Sequence, residues 1–253
     1  MGYLMAAKVQ FIRLKLVAGK GPFGYTYFMP DAQTIYELRT ACHKPGCPVC
    51  ALVQRAGARY IEGTFNESML DPSIRQKLVD SMGFCYEHTW QSIDLKLSEA
   101  LGHAILYQDL IKYINITIQE NGNLPGKQLA AALDRAAACP ACQIEEETLE
   151  RVTDSLAAAL KGEDFVDDYR FSGGLCLPHL KRLLPALDNK RQAIVLKHQQ
   201  ARLEGLKTEL AEFIRKSDYR FRDEIIGEEG DSYKRAADLV KGKHRAENKK
   251  DLK

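Results

Sequence analysis

Two Cys-Pro-x-Cys pairs and two Gly-x-Cys-x-x-His segments constrain this chain more than any other feature. "GCPVC" supplies Cys47 and Cys50, and "GFCYEH" supplies Cys85 and His88. "ACPAC" then supplies Cys139 and Cys142, and "GLCLPH" supplies Cys176 and His179. The first set reads C-x2-C-x34-C-x2-H and the second C-x2-C-x33-C-x2-H, so six of the seven cysteines fall into two matching quartets. A lone Cys-x-x-His is more often an accident or a packed pair than a ligand set. Two quartets at near-identical spacing are harder to dismiss, and they read as an internal duplication.

The chemistry of the pattern points to metal. A C-x2-C turn places two thiolates on one ion, and a Cys and a His three apart on a helical turn present two more donors on one face. Three soft thiolates and one imidazole suit tetrahedral zinc, giving an expectation of two zinc ions per chain. An iron–sulfur cluster with one His ligand is the alternative metal reading, and redox-active Cys-x-x-Cys pairs or plain structural thiols are the metal-free ones. Gly83 and Gly174 fit as helix ends before the ligand turns. The repeated spacing favours in-line pairing, Cys47, Cys50, Cys85 and His88 on one ion and Cys139, Cys142, Cys176 and His179 on the other. A cross-braced arrangement mixing the halves stays open. Four protein ligands with no open position describe a structural centre rather than a catalytic one.

The remaining ligand-type residues read differently. Cys42 and His43 precede the first quartet and offer spare donors, but the second half has no counterpart and an ordinary helix end is the better reading. His103 and His198 sit in helical patterns and read as packing or surface residues.

Helical periodicity dominates after residue 30. Asp31 is placed to cap a helix through about Cys42, a second helix is expected from Cys50 to Phe65 or beyond, and Asp71-Pro72 opens a third that ends at Gly83. Leu101, Ala104, Ile105, Leu110, Ile111, Ile114 and Ile118 predict a long amphipathic helix. "ENGNLPG" is the strongest breaker and the expected boundary between two halves. Leu149, Val152, Leu156 and Leu160 line a helix stopping at Gly162, and Leu196, Leu203 and Leu210 recur every seven positions with Leu206 and Phe213 between them, a short coiled-coil-like seam. The predicted class is all-α: a duplicated helical scaffold with two Cys3His sites. Residues 29–124 form the first metal-binding repeat, 125–216 the second, and 217–253 a charged segment with a basic tail. Residues 1–28 differ, with a weak alternating strand pattern at Phe11 to Leu16 and a Gly- and aromatic-rich stretch. They are expected to be a short β-like or irregular appendage, with Met29 as a candidate true start.

Composition narrows the function classes. Across 253 residues, 45% hydrophobic and 28% charged residues describe an ordinary globular chain, and a net charge of +2 gives no global pull toward nucleic acid. No run approaches the roughly 18 to 20 apolar residues of a membrane span, and the N-terminus lacks a signal-type cleavage site, so a cytoplasmic location is expected. No general base, nucleophile elbow or phosphate loop is recognisable, and the chain reads as non-enzymatic. The segment Ser217 to Lys243 packs Arg220, Arg222, Glu224 and Arg235 among aromatics. It reads either as a solvated loop and helix, or as a polar groove contacting an acidic ligand or partner. Protein is the expected partner, with RNA weakly indicated by the basic tail.

The Cys-Pro-x-Cys and Gly-x-Cys-x-x-His pairs, together with "RFRDEIIGEEGDSYKRA", resemble a bacterial and archaeal family of helical proteins built on a domain of unknown function. The resemblance covers about residues 31 to 243 and implies a helical fold, with no activity to carry over. The leading expectation is a zinc-stabilised helical adaptor or regulatory binding protein. The alternatives are an iron–sulfur or thiol redox protein using the same cysteines, and an enzyme with a polar site in residues 217–235.

Overall fold

The computed structural model describes residues 32–97, 99–134 and 136–242. The expected N-terminal appendage, the Asp31 cap and most of the basic tail lie outside the described residues.

The described residues are helical, with no strand among them. The helices are α1 (Ala32–Cys42), α2 (Pro48–Gly63), α3 (Pro72–Asp80), α4 (Tyr86–Asp94), α5 (Ala100–Asn121) and α6 (Gly126–Ala132). They continue as α7 (Pro140–Ala159), α8 (Glu163–Phe171), α9 (Leu177–Leu183), α10 (Asn189–Lys216) and α11 (Ser232–Lys241). Local chemistry sets several of their starts. Asp71 caps α3 by accepting from the Ser73 N–H at 2.8 Å, with Pro72 at the first position. Asp188 caps α10 by accepting from the Arg191 N–H at 2.9 Å. A single π turn, Thr64–Ser68, continues α2.

Helices α2 and α7 form the centre. Val49, Cys50 and Leu52 near the start of α2 share a buried cluster with Val152, Leu156 and Leu160 near the end of α7. Ala58 and Ile61 further along α2 share a second cluster with Cys139 and Ala141 at the start of α7. The two helices therefore run antiparallel. The first cluster is completed by α1, α8, α9 and Val195 of α10, and the second by α3, α5 and Phe84 and Leu95, which flank α4. Each core thus mixes residues from both sides of the "ENGNLPG" breaker.

Two helix faces differ from the sequence expectation. In α5, Leu106, Leu110 and Thr117 point inward, whereas Leu101 is 71% exposed and Ile111 65%. This helix is apolar nearly all round, so periodicity alone does not select the face that its neighbours cover. In α10, the buried residues are Val195 and Gln199, and Leu203 of the expected seam is exposed. The first half of α10 turns the Val195 side to the core. Its second half is covered by the C-terminal segment, where Phe213 stacks on Tyr233 at 5.8 Å.

Candidate metal centres

The first ligand of every pair occupies the same local position. Cys47, Cys85, Cys139 and Cys176 are the N-caps of α2, α4, α7 and α9, each with extended or near-extended backbone. Proline follows Cys47 and Cys139 directly, and its fixed φ suits the first helical turn. The second ligands, Cys50, His88, Cys142 and His179, lie three residues on, within that turn. All eight donors therefore sit at the positive ends of helix dipoles, which favour thiolate over thiol. Gly83 and Gly174, two residues before their cysteines, hold φ of +77° and +84°. That left-handed turn reverses the chain just ahead of each ligand helix.

The donors converge crosswise. Cys47, Cys50, Cys176 and His179 form one cluster, and Cys85, His88, Cys139 and Cys142 the other, with the donor atoms of each within 4.8 Å of one another. This corrects the in-line expectation. Because α2 and α7 are antiparallel, each Cys-x2-Cys turn lies beside the far end of the other helix, where the opposite half delivers its Cys-x2-His. Short contacts fix this meeting. The Ala136 and Ala137 N–H groups both donate to the Asp80 carbonyl at 3.0 Å. Gly173 passes so close to Gly46 that a Cβ there would lie 3.0 Å from the Gly46 backbone. Arg39 of α1 pairs with Asp164 and Asp168 of α8, tying the helices that precede these loops.

The spacings fit one ion per cluster. In the first, Cys50 Sγ is 3.6 Å from Cys176 Sγ, and His179 Nδ1 lies 3.2 to 3.4 Å from the three sulfurs. In the second, Cys85 and Cys142 sulfurs are 3.6 Å apart, and His88 Nδ1 lies 3.2, 3.4 and 3.7 Å from Cys85, Cys142 and Cys139. A tetrahedron with Zn–S of about 2.3 Å and Zn–N of about 2.05 Å has edges of about 3.8 and 3.6 Å. The ligands are buried or half-buried, with His88 fully so.

Protonation shows what four such donors do without a cation. Burial raises the Cys139 thiol, but the hydrogen bond with His88 and the backbone donors outweigh it and hold the group down at about 6. Cys142 is pushed up to about 12 by burial and the adjacent Cys139 and Cys85. In the other cluster burial pulls His179 down, but Cys176 and Cys47 raise it to about 9. Protons thus separate the negative sulfurs, and one divalent ion would replace them.

His88 has an outer partner that the motif does not contain. Its Nε2 lies 3.1 Å from Oε1 of Glu145, while Nδ1 faces the sulfurs. Gly57 of α2 makes room for this carboxylate, since a Cβ there would fall 2.5 Å from Glu145 Oε1. In sequence, Glu145 is one acid among several in "QIEEETLE", and only its place on α7 distinguishes it.

The other candidates fall as follows. His43 leaves the ligand set, lying 3.1 Å from Asp168 and packing on Phe171. Cys42 is buried at the end of α1, its thiol raised to about 12, chiefly by burial. His103 packs on Phe65 at 4.4 Å, and His198 lies 3.2 Å from the Ser172 carbonyl, both as packing residues. The structure does not gather Arg220, Arg222, Glu224 and Arg235 into one groove. Arg220 pairs with its neighbour Asp218 at 2.7 Å, Arg222 is 81% exposed at the side chain, and Glu224 is held by Arg215. Arg235 binds Asp231 at 2.6 Å and also Glu209, and it lines a cavity.

No helix among the described residues is long and apolar enough to cross a membrane. The chain belongs to a family described as a family of unknown function (DUF6062), which matches residues 34–247. No curated protein and no solved structure matches it.

Proposed function

We propose that this DUF6062 protein is a zinc-stabilised helical binding module whose two Cys3His centres are structural. One observation carries the reading: eight donors, all at helix starts, meet in two clusters of single-ion size, each built from both halves of the chain. Cys47, Cys50, Cys176 and His179 would hold one zinc, and Cys85, His88, Cys139 and Cys142 the other. Each ion would pin the N-terminus of α2 or α7 to that of a helix from the opposite half. Closed four-ligand shells leave no position for water or substrate, which favours support of the fold over catalysis. Matching cysteine N-caps and left-handed glycines in both halves support the duplicated scaffold. Sulfur pairs 3.6 Å apart favour one ion over an iron–sulfur cluster, whose irons and sulfides would stand between the thiolates.

Elemental analysis with a visible spectrum, on protein purified without oxygen, tests this. Two zinc ions per chain and no colour are expected. Iron with acid-labile sulfide, or metal-free protein with seven titratable thiols, would overturn it.

A further inference from the structure

A cavity of about 360 Å³ lies between the first metal centre and the two C-terminal helices. Its floor is the backbone of Gly46 and Gly173 beside Cys47 and Cys176, and its apolar walls include Leu206 of α10 and Leu239 of α11. That volume lies within the range of small-molecule sites.

Two observations give the cavity a character. Gly205 sits inside the 28-residue helix α10, where a Cβ would meet nothing within 4 Å. Glycine in a helix interior costs stability relative to alanine, and at this position it leaves the cavity open. The second observation is charge. Glu209 is neutralised by Arg235, and Asp238 on the α11 wall has an interaction of its own. Arg202 commits only Nη2, through long contacts of 3.3 and 3.4 Å to the Arg170 and Phe171 carbonyls. Its Nε and Nη1 have no partner among the described residues. They lie on different edges of the guanidinium and leave two donors and its positive charge available to an anionic head group.

We infer that this cavity binds a small organic carboxylate with an apolar chain, its head on Arg202 and its chain over Gly205 between Leu206 and Leu239. The inference rests on the reading of the adjoining centre as a closed metal site, because Cys47 and Cys176 form part of the floor. Ligand binding would then join α10 and α11 to that centre.

Calorimetric titration of the full chain with butanoate, hexanoate, octanoate and decanoate tests it, with octylammonium as the charge-reversed probe and zinc content measured on every sample. The wild type is expected to bind at least one carboxylate at least tenfold more tightly than octylammonium. Arg202→Gln should weaken that binding at least tenfold. Gly205→Leu, which favours the helix and fills the cavity, should abolish it with zinc retained. Zinc-loaded protein that binds none of the four acids, or a Gly205→Leu variant that binds them as the wild type does, overturns the cavity assignment alone. Wild type purified without zinc overturns the reading of the metal centre instead.

Discussion

His88 faces two ways: its Nδ1 lies 3.2 Å from Cys85 Sγ, and its Nε2 lies 3.1 Å from Glu145 Oε1. A carboxylate behind a ligating histidine fixes the tautomer and strengthens the donor, and losing it typically costs 10–100-fold in metal affinity. Glu145→Ala is therefore expected to weaken zinc at the second centre by about that factor and leave the first unchanged. Gly57→Ala should act in the same direction, because its methyl displaces the carboxylate. Competition with a chromophoric chelator, read as two affinities per chain, checks both. Equal affinities in Glu145→Ala and wild type would remove Glu145 from the centre.

Removal of metal should unfold more than the ligand turns. The cysteines of the first centre belong to the first core and those of the second centre to the second, so loss of both ions would loosen both cores. A strong chelator is expected to lower the thermal midpoint sharply, with loss of helical signal. Retained helix content and an unchanged midpoint after verified zinc loss would contradict a structural role.

Tyr169 is fully buried, and its hydroxyl has no hydrogen-bond partner among the described residues. A buried hydroxyl without a partner carries a desolvation cost that phenylalanine avoids. Tyr169→Phe should be neutral or stabilising, by up to about 1 to 2 kcal/mol in urea denaturation. A loss of similar size would show a bond to that oxygen. Leu156→Ala, in the same core and also fully buried, should cost about 2–5 kcal/mol.

His198 carries the pH dependence expected near neutrality. Burial pulls its pKa below the ordinary 6.5, and Arg202 and Arg170 add to this against the opposing hydrogen bond to Ser172. The unfolded chain therefore takes up this proton at a higher pH than the folded one. The contribution is fully present above about pH 6.5 and is lost as pH falls below it, toward the folded value. Between about pH 7.5 and about pH 5.5, the urea midpoint of wild type should fall further than that of His198→Gln. Parallel curves would contradict the assignment.

The eight clustered donors were legible because C-x2-C and C-x2-H encode short-range geometry: a cap, a first helical turn and two donors on one face. Their pairing was not. In-line and crossed arrangements use identical motifs, and the choice is made by the antiparallel packing of α2 on α7, a contact between residues about ninety positions apart. The ends of α3 were readable from Asp71-Pro72 and Gly83, where proline and positive φ are local demands. The buried faces of α5 and α10 were not, because the apolar residues of α5 spread well beyond the face its neighbours cover and the leucine heptad of α10 competes with Val195 and Gln199. Glu145 is invisible for the same reason: only the neighbouring helix marks it out.

Metal counting on paired cysteine variants tests the crossed architecture most directly. Cys50→Ser with Cys176→Ser removes two ligands of one centre and should leave about one zinc per chain. Cys50→Ser with Cys85→Ser removes one ligand from each centre and should weaken both, leaving less than one after dialysis against a moderate chelator. The reverse pattern, with Cys50/Cys85 keeping one tight zinc and Cys50/Cys176 losing both, would contradict it and establish in-line sites.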